Sequence, residues 1–466
     1  MGADAHVTAL LAAAVCACTS AHRPEAAHVA DAASSGASSS DAAVAPRDAL
    51  ATFHYQEAPF ADDPSNRFAS DAGARKLGQS LFFDRAFSGP LIEGDNDGKG
   101  GTLGQSGDPG RVSCADCHVP ATAFVDTRSP HGQISLAAQW TRRRAPTLLE
   151  SGGLSLYDWD GRRDSIWGQA IGVMESDREF NSGRLFVAEQ MFRLHRAEYE
   201  AVFGPMPALD DATRFPALTP DQAGCREVAT RSGPTYPCRG KPSDGADYDG
   251  MAPADQQAAT VVMVNAGKAM AAYVALLRCG PGRFDAWLDG NDAALSPSEQ
   301  RGAGLFAGKG KCVSCHAGPD FTDGAFHDVG LSPATVAVAF IDSGDNGAAD
   351  GVAAALADPM NTAGPFSDGD RHALPAGVDP AMLGAFRTPT LRCIATQPSF
   401  MHTGQLRSLD EVVAFHDRGG DPAGGYPGTN ELSPLGLTAG ECADIVAFLV
   451  ALDGAGPPDS LRGPPD

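Results

Sequence analysis

The sequence predicts a mainly α-helical protein with long loops, and three observations support this fold class. At several sites Ser or Thr is followed three residues later by Glu, so that hydroxyl and carboxylate can satisfy the free N–H groups of a helix start. Apolar residues recur at helical spacing, and few stretches alternate apolar and polar residues as half-buried strands do. The sites where Ser or Thr is followed three residues later by Glu are Ser296/Glu299, Ser408/Glu411 and Thr438/Glu441.

Earlier in the chain, apolar spacing predicts three further helices. The first begins near Asp71, and the others span 184–203 and 255–277. A turn-rich insertion at 206–251 separates the last two, and we place a domain boundary there.

The length of 466 residues exceeds one typical hydrophobic core and fits two or three domains. We predict a signal or lipoprotein-like leader over 1–20 and a flexible Ala/Ser-rich tether over 21–55. An N-terminal domain then spans 56–250, and a C-terminal domain spans 251–466.

The first residues are typical of an export signal. A short apolar run, 7–17, leads to Cys16 and Cys18, either of which could be a lipoprotein-type cysteine that carries a lipid anchor. The residues before the run lack the usual Lys or Arg, so the true start site stays open. No stretch has the roughly 20 uninterrupted apolar residues that span a bilayer.

The chain is acidic, with a formal net charge of -23 and an isoelectric point near 4.8. This charge argues against nucleic acid or an anionic membrane as a partner. An acidic surface favours a basic partner, such as a small electron-donor protein, although it equally serves solubility.

Two copies of the sequence Cys-x-x-Cys-His lie 198 residues apart. This is the attachment sequence of c-type haem, in which both thiols bind the porphyrin and the histidine binds the iron. Zinc sites and disulfides also use Cys-x-x-Cys, but two complete copies favour two covalently bound haem c groups in cytochrome c-like domains. Since bacteria attach haem c outside the cytoplasmic membrane, we expect a periplasmic or extracytoplasmic protein. The residues are Cys114, Cys117 and His118, then Cys312, Cys315 and His316.

Five cysteines lie outside the leader and the haem sequences. Cys225 and Cys238 flank a Gly/Pro-rich loop and could form a disulfide in an oxidising compartment. An odd number then remains, Cys279, Cys393 and Cys442, so at least one thiol is expected to be free or to pair with a leader cysteine.

Further motifs surround the two haem sequences. Leu77-Gly-Gln-Ser-Leu-Phe-Phe-Asp84, Arg144-Ala-Pro-Thr147 and Trp159-Asp-Gly-Arg162 accompany the first, while Phe386-Arg-Thr-Pro-Thr-Leu-Arg392 and Met401-His-Thr-Gly404 accompany the second. With these motifs in order, residues 56–455 closely resemble the bacterial dihaem cytochrome c peroxidase family, which includes the MauG-type enzymes.

The resemblance implies that the haem at Cys114 and Cys117 reacts with hydrogen peroxide. Gln169 and Glu179 follow Trp159 by ten and twenty residues, the offsets at which the family carries a glutamine and a glutamate over this haem. Glu179 would move a proton between the peroxide oxygens, Gln169 would orient the peroxide, and Trp159 would relay electrons between the haems. Without the resemblance, Gln and Glu would be ordinary surface residues and Trp a core residue.

The resemblance places the outer ligand of the second haem fourteen residues after His402, where this chain has His416 instead of methionine or tyrosine. The pair His316 and His416 predicts bis-histidine iron, with a lower reduction potential than a thioether ligand gives. Met401 is a rival ligand, and a lone histidine is more often surface or core. At the first haem, His131 could cap the iron, or the position could be open.

The calcium ion that the family holds between its domains is doubtful here. Arg144 stands where the family has an asparagine ligand, and Gln397 and Ser399 stand where two backbone carbonyls bind. A guanidinium in place of a carboxamide would repel a cation, and Arg144 could fill the space as a fixed charge.

These features predict a dihaem peroxidase that takes electrons from a small cytochrome or cupredoxin, with the second haem storing or relaying them. The alternative is a MauG-like enzyme that uses peroxide to oxidise a side chain, such as a tryptophan, of a partner protein. The non-methionine ligand favours this alternative. A plain electron-transfer cytochrome is disfavoured, because it has no need for Gln169 and Glu179.

Overall fold

The computed structural model describes residues 47–57, 60, 62–94, 103–127, 134–226, 228–230, 233–235, 237–333, 344–421 and 426–466. The predicted leader, the first part of the predicted tether and His131 lie outside these ranges. Within them the fold is mainly α-helical with long loops, as predicted, and every helix is too short or too polar to cross a membrane.

The helices are α1 (Ala72–Phe83), α2 (Cys114–Cys117), α3 (Ile166–Glu175), α4 (Arg184–Leu194), α5 (Arg196–Phe203), α6 (Pro253–Val274), α7 (Arg283–Leu288), α8 (Pro297–Ala307), α9 (Ala348–Ala357), α10 (Leu409–Asp417) and α11 (Ala439–Val450). The strands are β1 (Gly224–Cys225), β2 (Val228–Thr230), β3 (Gly233–Thr235), β4 (Cys238–Arg239), β5 (Phe326–His327) and β6 (Phe386–Arg387). They form three antiparallel pairs within the described residues, β1 with β4, β2 with β3 and β5 with β6.

The first hydrophobic core is formed mainly by α1, α3, α4 and α6. Helix α6 is buried on most sides, because α1, α3 and α4 all pack around it. Its contact with α1 is close at Gly78, where a Cβ would lie 1.9 Å from the Ala269 carbonyl oxygen. Helix α6 follows the predicted boundary at residue 250 in sequence and packs in the first core.

The second core is formed by α7, α8, α10 and α11. Helices α8 and α11 approach closely at Gly302, where a Cβ would lie 1.9 Å from the Asp444 carbonyl oxygen. Leu50 and Phe53 are buried in this core, although they belong to the end of the predicted tether. Residues 47–55 are therefore packed against the second core.

A buried ion pair holds the segment that leads into the second site. The Arg392 guanidinium donates to Asp285 at 2.6 and 3.0 Å, and both side chains are almost fully buried. Arg392 also donates to the Phe53 carbonyl oxygen at 2.9 Å. The chain after β6 is thus fixed to α7 and to the packed residues before the first domain.

Two disulfides are present. Cys225 and Cys238 are bonded directly across β1 and β4, which confirms that prediction. Cys279 and Cys393, which the sequence left unassigned, form a second disulfide. This bond ties the chain just after α6 to the chain just after Arg392, and so it links the two cores.

The structure differs from the predicted helices in one helix start and in one helix span. Ser296/Glu299 and Thr438/Glu441 form complete capping boxes, whereas Glu411 accepts from the Arg407 N–H instead of returning to Ser408. The helix predicted over 184–203 is broken at His195, whose backbone leaves the helical region. The break lets the His195 ring reach Asp84 at 3.3 Å and stack on Phe87.

Candidate functional site

The first Cys-x-x-Cys-His sequence lines a cavity of about 630 Å³. Cys114 and Cys117 lie at the two ends of α2. Asp116 fixes this turn, because its carboxylate accepts the N–H and the hydroxyl of Ser113 at 2.8 Å each. An ion pair with Arg85 holds the same carboxylate from outside the turn.

His118 follows α2 and lines the same cavity. Its Nδ1 lies 3.1 Å from the Phe124 carbonyl oxygen, which can only accept, so Nδ1 carries the proton and Nε2 keeps its lone pair. Burial lowers the pKa of His118, which keeps the imidazole in the neutral form that binds iron.

Gln169 and Glu179 line this first cavity too. Gln169 lies on α3, and Glu179 lies in the turn that follows this helix. The Gln169 amide donates to Asp158 at 3.4 Å. Burial raises the pKa of the Glu179 carboxyl, an effect that the Arg162 charge opposes and the Asp158 charge reinforces.

Ion pairs form the polar wall of the first cavity. Asp160 pairs with Arg143 at 2.6 Å and with Arg162 at 3.3 Å. Arg162 also reaches Asp158 at 3.3 Å, and Arg143 reaches Asp345, just before α9, at 2.6 Å. The sequence analysis assigned no role to Asp160 and Arg162, although their position beside Trp159 is a local signal for them. No neighbouring motif in the sequence indicates that Asp345 belongs to this cavity wall.

The second Cys-x-x-Cys-His sequence lines another cavity, of about 260 Å³, together with His416 on the last turn of α10. Nδ1 of His316 contacts the Phe321 carbonyl oxygen at 2.9 Å, and Nδ1 of His416 contacts that of Val412 at 2.9 Å. Each Nε2 therefore keeps its lone pair. Burial lowers the pKa of His316 to about 4, with His416 contributing, and burial also lowers the pKa of His416. Met401 lines this cavity as well.

These donor sets fit haem c. Each cavity has two cysteines for covalent attachment and an adjacent neutral histidine. The second cavity adds a second neutral imidazole, which fits an iron bound on both faces. The first cavity adds instead an amide and a carboxyl, groups that act on a small polar ligand.

Trp159 lies at the wall that the two cavities share. It lines both cavities and is only 5% exposed. The His402 ring lies against it at 6.4 Å between ring centres. Trp159 is thus the aromatic residue between the two candidate haem sites.

Arg144 lines both cavities beside Trp159 and is 3% exposed. Its Nη1 donates to the Gln397 side-chain oxygen at 3.4 Å, and Ser399 is buried. Burial lowers the pKa of Arg144 to about 9. At the predicted calcium position the structure thus has a buried guanidinium beside Gln397. The absence of calcium stays a prediction.

The sequence is similar to those of known proteins. Residues 72–220 match the family model described as di-haem cytochrome c peroxidase. Cytochrome-c peroxidase IdrP1 of Denitromonas iodatirespirans is 29% identical over 395 residues, covering 81% of this chain and 80% of its own. Methylamine utilization protein MauG of Methylorubrum extorquens is 27% identical over 379 residues, covering 81% and 77%.

The fold is also shared with a solved structure. The diheme peroxidase BthA from Burkholderia thailandensis superposes with a TM-score of 0.56 at 22% identity, covering 87% of this chain and 91% of that chain. Over most of its length the chain is therefore similar to the bacterial dihaem cytochrome c peroxidases and MauG proteins, and its residues 72–220 carry the match to that family.

Proposed function

We propose that this protein reduces hydrogen peroxide to water at the haem attached to Cys114 and Cys117, with electrons supplied through the second haem. The observation that carries the proposal is the placement of Gln169 and Glu179 in the first cavity only. When bound, haem c supplies an iron that takes up peroxide and exchanges electrons. Two electrons and two protons convert one peroxide molecule into two water molecules.

Glu179 moves the proton in this scheme. Its carboxylate accepts the proton of one peroxide oxygen and delivers it to the other oxygen, which leaves as water. Burial raises the pKa of Glu179, and this brings its proton affinity closer to that of a base working near neutral pH. Arg162 keeps the residue from becoming permanently protonated, because its charge favours the ionised form.

Gln169 orients the peroxide. Its amide offers both a donor and an acceptor to a small ligand. The contact with Asp158 uses one N–H and limits rotation of the amide, which leaves its oxygen and its second N–H for a ligand in the cavity.

Trp159 passes electrons between the sites. The donor is a small cytochrome or cupredoxin, whose basic surface would complement the charge of -23 on this chain. The two disulfides fit an oxidising compartment, which supports a periplasmic location.

A second candidate function is oxidation of a partner protein's side chain, as in MauG-like enzymes. The observation that favours it is His416 in the second cavity, since a second nitrogen ligand stabilises oxidised iron relative to a thioether ligand. Rapid steady turnover of peroxide with a reduced small cytochrome would support the peroxidase. A persistent oxidised state with negligible turnover would support oxidation of a partner protein instead.

Glu179→Gln tests the proposed proton transfer. Stopped-flow mixing with peroxide should show a fall of roughly 10²–10⁴-fold in the rate constant, because an amide cannot accept the proton. Glu175→Gln is the matched control, since Glu175 lines the same cavity but its carboxylate is held by Arg184 at 2.8 and 2.9 Å. A Glu179→Gln protein that reacts as fast as the wild type would overturn the assignment.

A further inference from the structure

Several buried polar groups at the wall of the second cavity have incomplete hydrogen bonding. Among the described residues, the Gln397 amide nitrogen and Nε2 of His402 are buried without a hydrogen-bond partner. The Arg144 guanidinium carries several N–H donors, but its hydrogen bonds to the described residues use only Nε, to the Met401 carbonyl, and Nη1, to Gln397. The Gln397 amide nitrogen and Nη2 of Arg144 are thus N–H donors for which the described residues supply no acceptor, and Nε2 of His402 can donate or accept according to its tautomer.

Arg144 also lacks an ion-pair partner within the part of the chain that the structure describes, where no carboxylate oxygen lies within 4.0 Å of it. Asp126 acts on it only from beyond that distance. Its neighbour Arg143, by contrast, pairs with both Asp160 and Asp345. A buried guanidinium without a contacting carboxylate is costly, so a negative group of a bound ligand would stabilise Arg144.

We propose that Arg144 and Gln397 bind a propionate carboxylate of the haem attached to Cys312 and Cys315. A carboxylate accepts from a planar guanidinium and an amide together. The second haem is the source, because Gln397 and His402 line the second cavity and not the first. The proposal rests on haem binding at the second site and is independent of peroxide chemistry at the first.

The contact has a consequence for electron transfer. A propionate charge near the iron favours the oxidised metal, and a guanidinium that neutralises it favours the reduced metal. Arg144 therefore raises the reduction potential of the second haem and opposes the lowering caused by a histidine ligand. Arg144 would therefore act on the second haem through the charge of its guanidinium.

Two variants of the holoprotein test this by potentiometric titration of each haem. Arg144→Gln removes the charge, and Gln397→Glu places a carboxylate 3.4 Å from Arg144 that competes with the propionate. Both should lower the midpoint potential of the second haem, with electron partition between the haems changing on the order of tenfold, which is about 59 mV for a one-electron couple. Arg301→Gln, which removes an exposed arginine paired with Asp444, should leave both potentials unchanged.

A crystal structure of the holoprotein gives the direct readout, with a propionate oxygen within ion-pair distance of Arg144. A propionate beyond that distance, or an inorganic anion at Arg144, would overturn the proposal. Unchanged potentials in both variants would do the same. If Arg144→Gln does not fold, the position of the propionate in the wild-type holoprotein crystal structure decides the outcome.

Discussion

The indole N–H of Trp159 donates to the backbone carbonyl of Arg144 at 2.7 Å, and the Arg144 guanidinium lies 5.6 Å from the centre of the same ring. Arg144 therefore holds Trp159 through both its backbone and its side chain. A positive charge over the ring opposes the loss of an electron from the indole. In the proposed relay, this charge would disfavour a lasting oxidised state of Trp159.

Trp159→Phe should slow electron transfer between the haems on the order of tenfold or more, because it removes the indole. The substitution also leaves the Arg144 carbonyl unpaired, which should lower the free energy of unfolding by about 1–3 kcal/mol. The measurement is the rate at which the second haem's absorbance changes after peroxide is added. Trp287→Phe is the control, since that tryptophan lies in the second core under Arg47. Equal rates in both variants would contradict the relay role.

The peroxide reaction should lose rate at acid pH because Glu179 must be ionised to accept a proton. Its raised pKa means that this loss begins at a higher pH than for an ordinary carboxyl. Asp158→Asn removes a charge that raises the pKa of Glu179, so the acid loss should move to lower pH.

The pH dependence of the rate constant, measured by stopped flow, checks this direction. Asp210→Asn, an exposed loop substitution, is the charge-matched control and should leave the profile unchanged. A profile that shifts upward in Asp158→Asn would show that the sign is wrong.

His416→Met should raise the reduction potential of the second haem, because thioether sulfur replaces nitrogen at the iron. His416→Ala should convert this haem from low spin to high spin in electron paramagnetic resonance spectra. His327→Gln is the control, because His327 lines the same cavity but pairs with Asp323 and Glu431. A low-spin spectrum in His416→Ala would point to Met401 as the ligand.

Removing the Cys279–Cys393 disulfide with alanines should destabilise the protein more than removing Cys225–Cys238. The two bonds close loops of 114 and 13 residues. In the loop-entropy model, loops of these sizes contribute on the order of 4–5 and about 3 kcal/mol. Urea unfolding of the oxidised holoprotein measures both losses of unfolding free energy, and an equal loss in the two variants would contradict the dependence on loop length.

Much of both sites could be predicted from local sequence. The thiols and the adjacent histidine of each motif are neighbours in the chain, so they reach one cavity together. His416 could be placed on a helix because Ser408 marks where that helix starts. Gln169 and Glu179 lie within one helix and turn after Trp159, and this short separation carries all three to one cavity.

The remaining features depend on packing between distant segments. Helix starts and Cys-x-x-Cys-His motifs are short-range signals, so the amino-acid sequence was enough to predict the mainly helical fold, the two candidate haem-attachment sequences and the candidate ligands. Three features became visible only in the folded chain: the packing of α6 in the first core, the disulfide between Cys279 and Cys393, and the burial of Arg144 away from the carboxylates of the described residues. These outcomes arise from contacts between residues far apart in the chain, which form only when both cores are assembled.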